Sequence, residues 1–246
     1  MSTIIGQFKI LPSVDSTNNY AMAMVHEGLA KHGEAVFSHY QTAGKGQRGK
    51  AWQMEKDQNI ALSVVMNPKE LKLHHPFQLS LVVALASYDF FSKYAGDETC
   101  IKWPNDIYWR DRKAGGILIE NLIRGRKWKW AVVGVGININ QTHFGDNLKA
   151  AVSLKQITGK NFDPVELARE LHQNILNRSQ ELLIKPFKTL LEEYQERLYK
   201  MNTVVKLKKD NRVFETLIKG VSTTGQLLTF DVIEKQIEFG EVEWVL

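Results

Sequence analysis

Gly44-Lys45-Gly46-Gln47-Arg48-Gly49 is followed ten residues later by the apolar run Asn59-Ile60-Ala61-Leu62-Ser63-Val64-Val65. The glycine spacing matches G-x-G-x-x-G, which in a dinucleotide-binding fold lies between a strand and a helix. Here the following run is short and rich in β-branched residues, which indicates a strand. The pattern therefore argues against a dinucleotide-binding βαβ unit and predicts a Gly-rich loop between two strands.

The composition of this loop is suited to binding an anion. Its glycines let the backbone approach a phosphate closely, and Lys45, Arg48 and Lys50 supply positive charge. No Ser or Thr follows Lys45 as a P-loop would require, and the Asp-Phe-Gly and catalytic-loop motifs of protein kinases are absent. The alternative interpretation is a solvated hairpin tip.

The rest of the chain alternates between strand and helix patterns. Strands are predicted at 7–11, 35–41, 59–66, 100–103, 107–109, 116–123 and 128–139, and helices at 16–28, 76–94, 163–176 and 187–199. This order predicts an α+β fold with a mixed, mostly antiparallel sheet flanked by helices. Only short strands follow (204–207, 213–218, 227–230 and 236–239), which predicts a small SH3-like β-barrel. We place the domains at 1–200 and 201–246.

Composition narrows the function classes. The single cysteine, Cys100, excludes an intrachain disulfide framework and a cysteine-based zinc site. No secretory signal is recognisable, and no apolar stretch approaches the roughly 20 residues that a membrane span needs. We therefore expect a cytoplasmic protein with no membrane partner. A net charge of +5 fits either attraction to a polyanion or an ordinary surface with a slight lysine excess.

A second motif, Lys102-Trp103-Pro104-Asn105-Asp106, ends a strand at a proline. Proline donates no hydrogen bond and stops the ladder, so Lys102, Asn105 and Asp106 are expected to project at a strand end. The oxygens of Asn105 and Asp106 are suited to Mg²⁺ held by nucleotide phosphates. The alternative is an ordinary Pro-Asn-Asp turn.

Two further segments combine glycines with buried strands. Arg112-Lys113-Ala114-Gly115-Gly116-Ile117-Leu118 brings a lysine into an apolar strand, where its charge is costly unless it meets an anion. Gly134-Val135-Gly136-Ile137-Asn138-Ile139-Asn140 has glycines inside a strand, which mark the close approach of a ligand or another backbone. The alternatives are a hairpin lysine that extends to solvent and glycines required by packing.

Together with Asp15-Ser16-Thr17-Asn18 and Gln41-Thr42-Ala43, these motifs resemble, in order, those of the biotin–protein ligases. The resemblance covers the main domain almost throughout and extends to the small SH3-like domain. It implies a fold like that of class II synthetases and biotin–lipoate ligases. It also implies that biotin and ATP form biotinyl-5′-AMP, from which biotin passes to a lysine of a biotin carboxyl carrier domain of a biotin-dependent carboxylase. ATP, Mg²⁺, biotin and the carrier protein are the implied ligands and partner.

The resemblance also assigns roles to residues at matching positions. Lys113, Lys102, Asp106 and Asn105 would be catalytic, with Asn105 and Asp106 serving Mg²⁺ through the phosphates. Biotin would be bound by Ser16, Thr17, Asn18, Gln41, Gly44, Lys45, Gly46, Lys113, Gly116 and Gly134. ATP and the adenylate would be bound by Lys45, Gln47, Arg48, Gly49, Trp52, Lys102, Asn105 and Asn138, and Gly136 would line the ligand floor.

Two departures from the family pattern lead to hypotheses. Many members have arginine where this chain has Gln47, and we expect Arg48 to take its place. Some members carry a DNA-binding domain ahead of the Asp-Ser-Thr-Asn motif. Here that motif begins at residue 15, so we expect a monofunctional ligase without operator binding. A homodimer through an exposed edge of the main sheet remains open.

Two other functions compete with this interpretation. A lipoate or octanoate ligase or transferase would share the fold and a lysine in the site. A nucleic-acid-binding module would use Lys206, Lys208, Lys209 and Arg212 with the run Lys127-Trp128-Lys129-Trp130. Acidic residues are interspersed with these cations, as Glu234, Glu238, Glu241 and Glu243 show, which favours the ligase.

Overall fold

The computed structural model describes residues 7–145 and 150–245. The domain ranges expected from the sequence, 1–200 and 201–246, therefore include residues 1–6, 146–149 and 246, which lie outside the described residues. The expected boundary at residue 200 falls between the last helix and the first strand of the C-terminal sheet.

The larger part of the chain is built on one mixed sheet. Its strands are β1 (Phe8–Leu11), β2 (Ala35–Ser38), β3 (Asn59–Met66), β4 (Thr99–Lys102), β5 (Asp106–Trp109), β6 (Arg112–Arg124) and β7 (Lys127–Asn138). Their spatial order is β1-β2-β3-β7-β6-β5-β4. Only β1 and β2 run parallel, and every other neighbouring pair is antiparallel. The predicted α+β class with a mostly antiparallel sheet is confirmed.

Within the described ranges, five α-helices accompany this sheet: α1 (Thr17–His26), α2 (Pro76–Ala95), α3 (Leu154–Thr158), α4 (Pro164–Ile184) and α5 (Phe187–Glu196). Proline stands at the first position of α2 and α4, where its missing N–H is not needed. The side chain of Asp163 accepts from two backbone N–H groups at the start of α4. Among the described residues, no helix is long and apolar enough to cross a membrane.

The two faces of the sheet are covered differently. Alternate residues of β3, such as Leu62 and Val64, face the main core formed with α2, α4 and α5. Val65 faces the other way, into a small cluster with Ala21 and Val25 of α1. Because the single helix α1 covers only part of this second face, the remaining part is open to form a site.

The C-terminal part is a five-stranded antiparallel sheet. Its strands are β8 (Val204–Lys209), β9 (Arg212–Val221), β10 (Leu227–Phe230), β11 (Glu234–Ile237) and β12 (Glu243–Val245), in the order β11-β10-β9-β8-β12. It packs against the main domain, where Trp103 Nε1 donates to the carbonyl of Gly225 at 2.8 Å. The two parts also share one apolar core that includes Leu207, Ile218 and Leu227.

Several elements differ from the sequence prediction. Helix α5 ends at Glu196 instead of 199, because the following residues pair with β4: Tyr199 N donates to Ile101 O at 2.8 Å. Helix α3, strand β12 and a short 3₁₀ turn at Gln47–Gly49 were not predicted. Each spans five residues or fewer, too short for hydrophobic periodicity to reveal.

Candidate active site

A cavity of about 60 Å³ lies on the open face of the sheet, beside the N-terminus of α1. Its floor consists of small residues on three adjacent strands: Ala61 of β3, Gly116 of β6, and Gly134 and Gly136 of β7. A methyl group on Gly134 would overlap Asn18 Oδ1, and one on Gly136 would overlap the Trp52 ring. These glycines are therefore required by the close approach of side chains above them.

One wall of the cavity is a buried polar network at the start of α1. The backbone N–H of Thr17 donates to Gln41 Oε1 at 2.8 Å, and its hydroxyl donates to the same oxygen at 3.1 Å. Ser63 Oγ lies 2.8 Å from Thr17 Oγ1 and 2.6 Å from Asn18 Oδ1. Ser16, Thr17 and Asn18 are all nearly fully buried. Such a network holds its donors and acceptors in fixed positions.

Asn18 extends this network across the sheet to β6. Its Nδ2 donates to Glu120 Oε2 at 2.7 Å and to the carbonyl of Leu118 at 3.3 Å. Neither Ser63 nor Glu120 was predicted as a site residue. Ser63 could have been noticed as the one hydroxyl inside a fully buried strand. Glu120 could not have been noticed in the sequence, because its contact with Asn18 depends on how the strands of the sheet are paired.

A β-bulge sets the position of Lys113. Ile107 pairs with Gly115 and Tyr108 pairs with Lys113, so Ala114 is an extra residue on β6. In a regular strand, residues 113 and 116 would point to opposite faces. The extra residue brings Lys113 to the face of Gly116, where Lys113 Nζ donates to Asp106 Oδ1 at 2.6 Å. The lysine–carboxylate pair therefore stands at the edge of the cavity.

Two side-chain amides lie at the mouth of the cavity. Asn105 Nδ2 donates to the carbonyl of Ile117 at 2.7 Å, and Gln47 Nε2 donates to the same carbonyl at 3.4 Å. Gln47 Oε1 is buried and has no hydrogen-bond partner among the described residues. Trp52 Nε1, which lies over the floor of the cavity, is also buried without a hydrogen-bond partner among the described residues. A buried polar atom without a partner needs an explanation, and a small rearrangement around a bound ligand is one.

The remaining residues of the Gly-rich loop divide between the cavity and the C-terminal sheet. Lys45 lines the cavity and donates to Asn19 Oδ1, and Gly46 lies beside it. Gly44 lies beneath the backbone of Trp52. Arg48 lies outside the cavity, with φ at 56°, and its Nη1 donates to the carbonyl of Gly240 at 2.9 Å. Gly49 follows it at the end of the turn, also outside the cavity lining.

Lys102 and Asn138 do not line the cavity either. Lys102 is buried between aromatic rings, with its Nζ 4.7 Å from the centre of the Tyr108 ring and 5.3 Å from that of Trp244. Burial lowers the pKa of Lys102 to about 8. Asn138 Nδ2 donates to the carbonyls of Val152 and Lys113 at 3.1 and 3.4 Å, so it supports the strand that carries Lys113.

A second, larger cavity of about 410 Å³ opens between the main sheet and the C-terminal sheet. Phe77, Trp103 and Phe239 provide its apolar walls, and Glu238 lies at its C-terminal side. It shares four lining residues with the first cavity: Gln47, Asn105, Ile117 and Leu118. The two cavities are therefore adjacent, and the two amides stand where they meet.

The lining of the first cavity contains no histidine or cysteine, but it has buried hydrogen-bonding groups, two lysines and a floor of small residues. Such a site is suited to aligning substrates and neutralising charge, so it is typical of a ligase or acyl transferase in which the substrate supplies the nucleophile.

Comparison with known proteins is consistent with this class. The chain belongs to the Biotin/lipoate A/B protein ligase family, whose sequence profile matches residues 10–138.

Individual relatives extend the similarity beyond that range. The bifunctional ligase/repressor BirA of Escherichia coli is 30% identical over 229 residues, covering 91% of this chain and 69% of that protein. The biotin--[acetyl-CoA-carboxylase] ligase of Paracoccus denitrificans is 35% identical over 164 residues, covering 64% and 66%. The biotin protein ligase from Aquifex aeolicus, solved in complex with biotin and ATP, has a TM-score of 0.82 and 28% identity, covering 96% and 97%. The family expected from the motifs is confirmed.

Proposed function

We propose that this protein is an ATP-dependent ligase that forms biotinyl-5′-AMP and transfers biotin to a specific lysine of a biotin carboxyl carrier domain. The observation that carries the proposal is the placement of Lys113. A bulge in β6 brings this lysine to the edge of a small-floored cavity and pairs it with Asp106. The surrounding fold is similar over nearly its whole length to a biotin protein ligase solved with biotin and ATP.

The polar network at the start of α1 is the proposed binding site for the ureido ring. That ring offers two N–H donors and one carbonyl acceptor, and Ser16, Thr17, Asn18 and Gln41 provide buried hydroxyl and amide groups in fixed positions. Gly134 leaves room for Asn18 to lie against the sheet. A ligand with matched polar groups is favoured here, because an unmatched one would leave buried groups unpaired.

Lys113 is the proposed centre of the first half-reaction. An oxygen of the biotin carboxylate attacks the α-phosphorus of ATP, the bond to the β-phosphate oxygen breaks, and pyrophosphate leaves with the electron pair. As the new bond forms, negative charge moves from the carboxylate to the α-phosphate oxygens and the leaving pyrophosphate. A lysine between the carboxylate and the α-phosphate offsets the repulsion between the two anions and stabilises the charge that develops on the phosphate oxygens. The 2.6 Å pair with Asp106 holds Nζ near this position.

The residues at the mouth of the cavity fit a magnesium ion carried by the nucleotide. The described residues contain no group of three or more His, Cys, Asp or Glu side chains that could hold a metal ion. Mg²⁺ bound with a nucleotide needs only one or two protein oxygens, because phosphates and waters complete its shell. Asp106 bonds Lys113 through Oδ1, which leaves Asp106 Oδ2 and the side-chain Oδ1 of Asn105 to hold it. When bound, the ion would neutralise charge on the leaving pyrophosphate.

The nucleotide is proposed to lie between Trp52 and the Gly-rich loop. Trp52 presents an aromatic face over Gly136, which suits stacking with adenine. Lys45, Gly46, Gln47 and Gly49 would follow the phosphates, with Arg48 joining them after it leaves Gly240. Lys102 would act on the phosphates only through the surrounding field, because its Nζ is enclosed by Tyr108 and Trp244.

The experiment that tests the function is pyrophosphate release from the purified protein with Mg-ATP and one acid at a time: biotin, lipoate or octanoate. Release with biotin and not with the other acids is the expected result. Release with lipoate or octanoate alone would replace the proposal with its nearest alternative, which the family description also covers. Lys113→Ala provides the control for adventitious ATPase activity.

Besides the carrier domain, the possible partners are a second copy of the chain and nucleic acid. The edges of the main sheet are β1 and β4, and a homodimer would form through one of them. We expect no sequence-specific DNA binding and a cytoplasmic location. The cations Lys206, Lys208 and Lys209 lie on β8, close to acidic residues such as Glu215 and Glu241. Any nucleic-acid binding is therefore expected to lack sequence preference and to disappear in moderate salt.

A further inference from the structure

Glu120 is a half-buried carboxylate on β6, beside the polar network at the start of α1. Within the described residues, its one side-chain hydrogen bond comes from Asn18 Nδ2 at 2.7 Å, and no lysine or arginine pairs with it. A hydrogen bond to an ionised acceptor is roughly twice as strong as one between neutral groups. The one group that Glu120 holds in place is therefore the side-chain amide of Asn18.

The contacts of Asn18 decide which end of its amide points toward β6. Nδ2 donates to Glu120 Oε2 and, at 3.3 Å, to the carbonyl of Leu118. A carboxylate and a carbonyl accept hydrogen bonds and cannot donate them, so a reversed amide would set its oxygen against two acceptors. Oδ1 therefore points the other way, where it accepts from Ser63 Oγ at 2.6 Å.

The rest of the network does not fix this orientation. A hydroxyl both donates and accepts, and its hydrogen turns to suit its neighbours, so Ser63 can pair with either end of the Asn18 amide. Thr17, whose Oγ1 lies 2.8 Å from Ser63 Oγ, is a hydroxyl as well. The contact with the neutral Leu118 carbonyl is longer and weaker than the contact with the carboxylate. Glu120 is therefore the main anchor of the amide.

The oxygen of Asn18 is the part of its side chain nearest to the cavity floor. Asn18 and Gly134 both line the cavity, and the atom closest to a methyl group added at Gly134 is Asn18 Oδ1. An amide oxygen accepts two hydrogen bonds, and Ser63 supplies one of them. The second is left for an N–H of the ligand. A reversed amide would turn its own N–H toward that donor, and both would be left unpaired in a buried site.

We infer that Glu120 is a positioning residue that makes the site specific for a ligand ring with an N–H donor. It holds Asn18 Nδ2 toward β6, so that Oδ1 is free to accept from the ring. This inference rests on the proposed function, in which the donor is an N–H of the ureido ring of biotin. Glu120 itself makes no contact with biotin. Because it acts far from the reacting carboxylate, it affects the binding of biotin and not the chemical step.

The first experiment compares Glu120→Gln and Glu120→Met with the wild type. Pyrophosphate release with biotin and saturating Mg-ATP gives kcat and the KM for biotin, and titration calorimetry gives the Kd. Glutamine keeps an oxygen that can accept from Asn18, whereas methionine removes that oxygen at a similar size. Glu234→Met, the same substitution at an exposed position of β11, is the matched control.

We expect Glu120→Met to raise both the KM and the Kd for biotin about tenfold, with kcat changed less than about threefold. Glu120→Gln and Glu234→Met should stay within about threefold of the wild type in all three quantities. A kcat that falls as much as the KM rises would indicate a general structural role and would overturn the inference. Failure of Glu120→Gln to restore binding would also overturn it.

A second experiment exchanges the two groups. Asn18→Asp sets two carboxylates against each other and is expected to weaken biotin binding more than Glu120→Met does. Adding Glu120→Gln restores a donor between positions 18 and 120, while position 18 still turns an oxygen toward the cavity. The double variant should therefore bind biotin about tenfold more tightly than Asn18→Asp. Equal affinities in these two variants would contradict the role of Glu120.

The same measurements separate this inference from the proposed function. Wild-type values of KM and Kd in Glu120→Met, in a protein that forms the adenylate from biotin, would overturn the inference alone. A wild-type chain that neither binds biotin nor releases pyrophosphate with it would overturn the proposed function and this inference together.

Discussion

Lys113 Nζ lies 2.6 Å from Asp106 Oδ1, and the two residues reach each other only because Ala114 is an extra residue in β6. The carboxylate serves as a resting partner for the lysine in the absence of substrate. In the proposed mechanism, an anionic substrate would replace this carboxylate as the partner of the lysine. The pair would therefore hold the cation in position until the substrate binds.

Lys113→Ala is expected to lower the rate of pyrophosphate release with biotin by roughly a hundredfold or more, since removal of one electrostatic group from such a site costs about 3 kcal/mol of transition-state stabilisation. Lys113→Arg should recover little, because a planar guanidinium does not place its charge where the compact ammonium of lysine does. Lys160→Ala, an exposed lysine after α3, is the matched control. Activity in Lys113→Ala close to that of the control would remove Lys113 from the mechanism.

Gly134→Ala is expected to weaken biotin binding at least tenfold. The added methyl group would overlap Asn18 Oδ1 and displace the polar network at the start of α1. Isothermal titration with biotin measures the effect. Gly145→Ala, where no atom of the described residues lies within 4 Å of the added carbon, should bind biotin as the wild type does. Unchanged affinity in Gly134→Ala would show that the network is not part of the biotin site.

Lys102 is expected to make stability rise with pH in alkaline solution. Burial lowers its pKa from 10.5 to about 8 in the folded protein. The unfolded chain keeps the proton up to roughly pH 10, so between about pH 8 and 10 the unfolded state binds more protons. The free energy of unfolding therefore gains up to about 3 kcal/mol from this group as pH rises through that window. Urea unfolding at pH 7, 8, 9 and 9.5 gives the free energy of unfolding of the wild type and of Lys102→Met. The stability advantage of Lys102→Met should shrink or reverse as pH rises. The same pH dependence in both proteins would contradict the lowered pKa of Lys102.

Arg48→Ala is expected to shorten the lifetime of the bound adenylate about tenfold if Arg48 replaces the arginine usual at position 47. In the structure its guanidinium donates to the carbonyl of Gly240, so it must leave that contact to reach the cavity. The measurement is loss of radiolabelled biotinyl-5′-AMP from the enzyme on a spin column. Lys50→Ala, one turn away on the same loop, serves for comparison. Equal retention in wild type and Arg48→Ala would refute the replacement.

Arg178→Met is expected to lower the free energy of unfolding by about 3 kcal/mol. Arg178, only 15% exposed, contacts Asp89, Glu181 and Glu193 at 2.6, 2.9 and 2.8 Å and so joins α2, α4 and α5. Its loss removes the cation that three carboxylates share, although Glu181 and Glu193 keep Lys185 at 3.0 and 3.3 Å. Lys188→Met, which removes a surface pair with Glu192 at 3.9 Å, should change stability by less than about 1 kcal/mol. Chemical denaturation separates the two, and similar values for both variants would be evidence against the network.

Much of the fold could be predicted because its long elements carry strong periodic patterns. Strand β3 and helix α2 have the predicted starts and nearly the predicted ends, since each is a continuous apolar segment bounded by turn residues or proline. The breaks at Pro104 and Gly125 also separate strands as expected. Short elements such as β12 escaped prediction, because pairing with β8 stabilises them more than any local preference does.

The site was less accessible from sequence. The motifs indicated Lys113, Gly116 and Gly134, and the structure places all three around one cavity. Sequence could not show that Lys102 points between aromatic rings, because Trp244 comes from the distant C-terminal sheet. Nor could it show that Gln47 and Asn105 share one carbonyl, since that relation depends on how the Gly-rich loop folds over β6.

The small residues beneath the cavity have a consequence for redesign. Ala61, Gly116, Gly134 and Gly136 leave almost nothing that a substitution could remove, so the depth of the binding space is already at its limit. Mutagenesis can make it shallower but not deeper. An engineered variant meant to accept a bulkier acid must therefore be widened at its walls, at Leu118 or in the Gly-rich loop. Mutant libraries directed at the floor residues are not expected to enlarge the cavity.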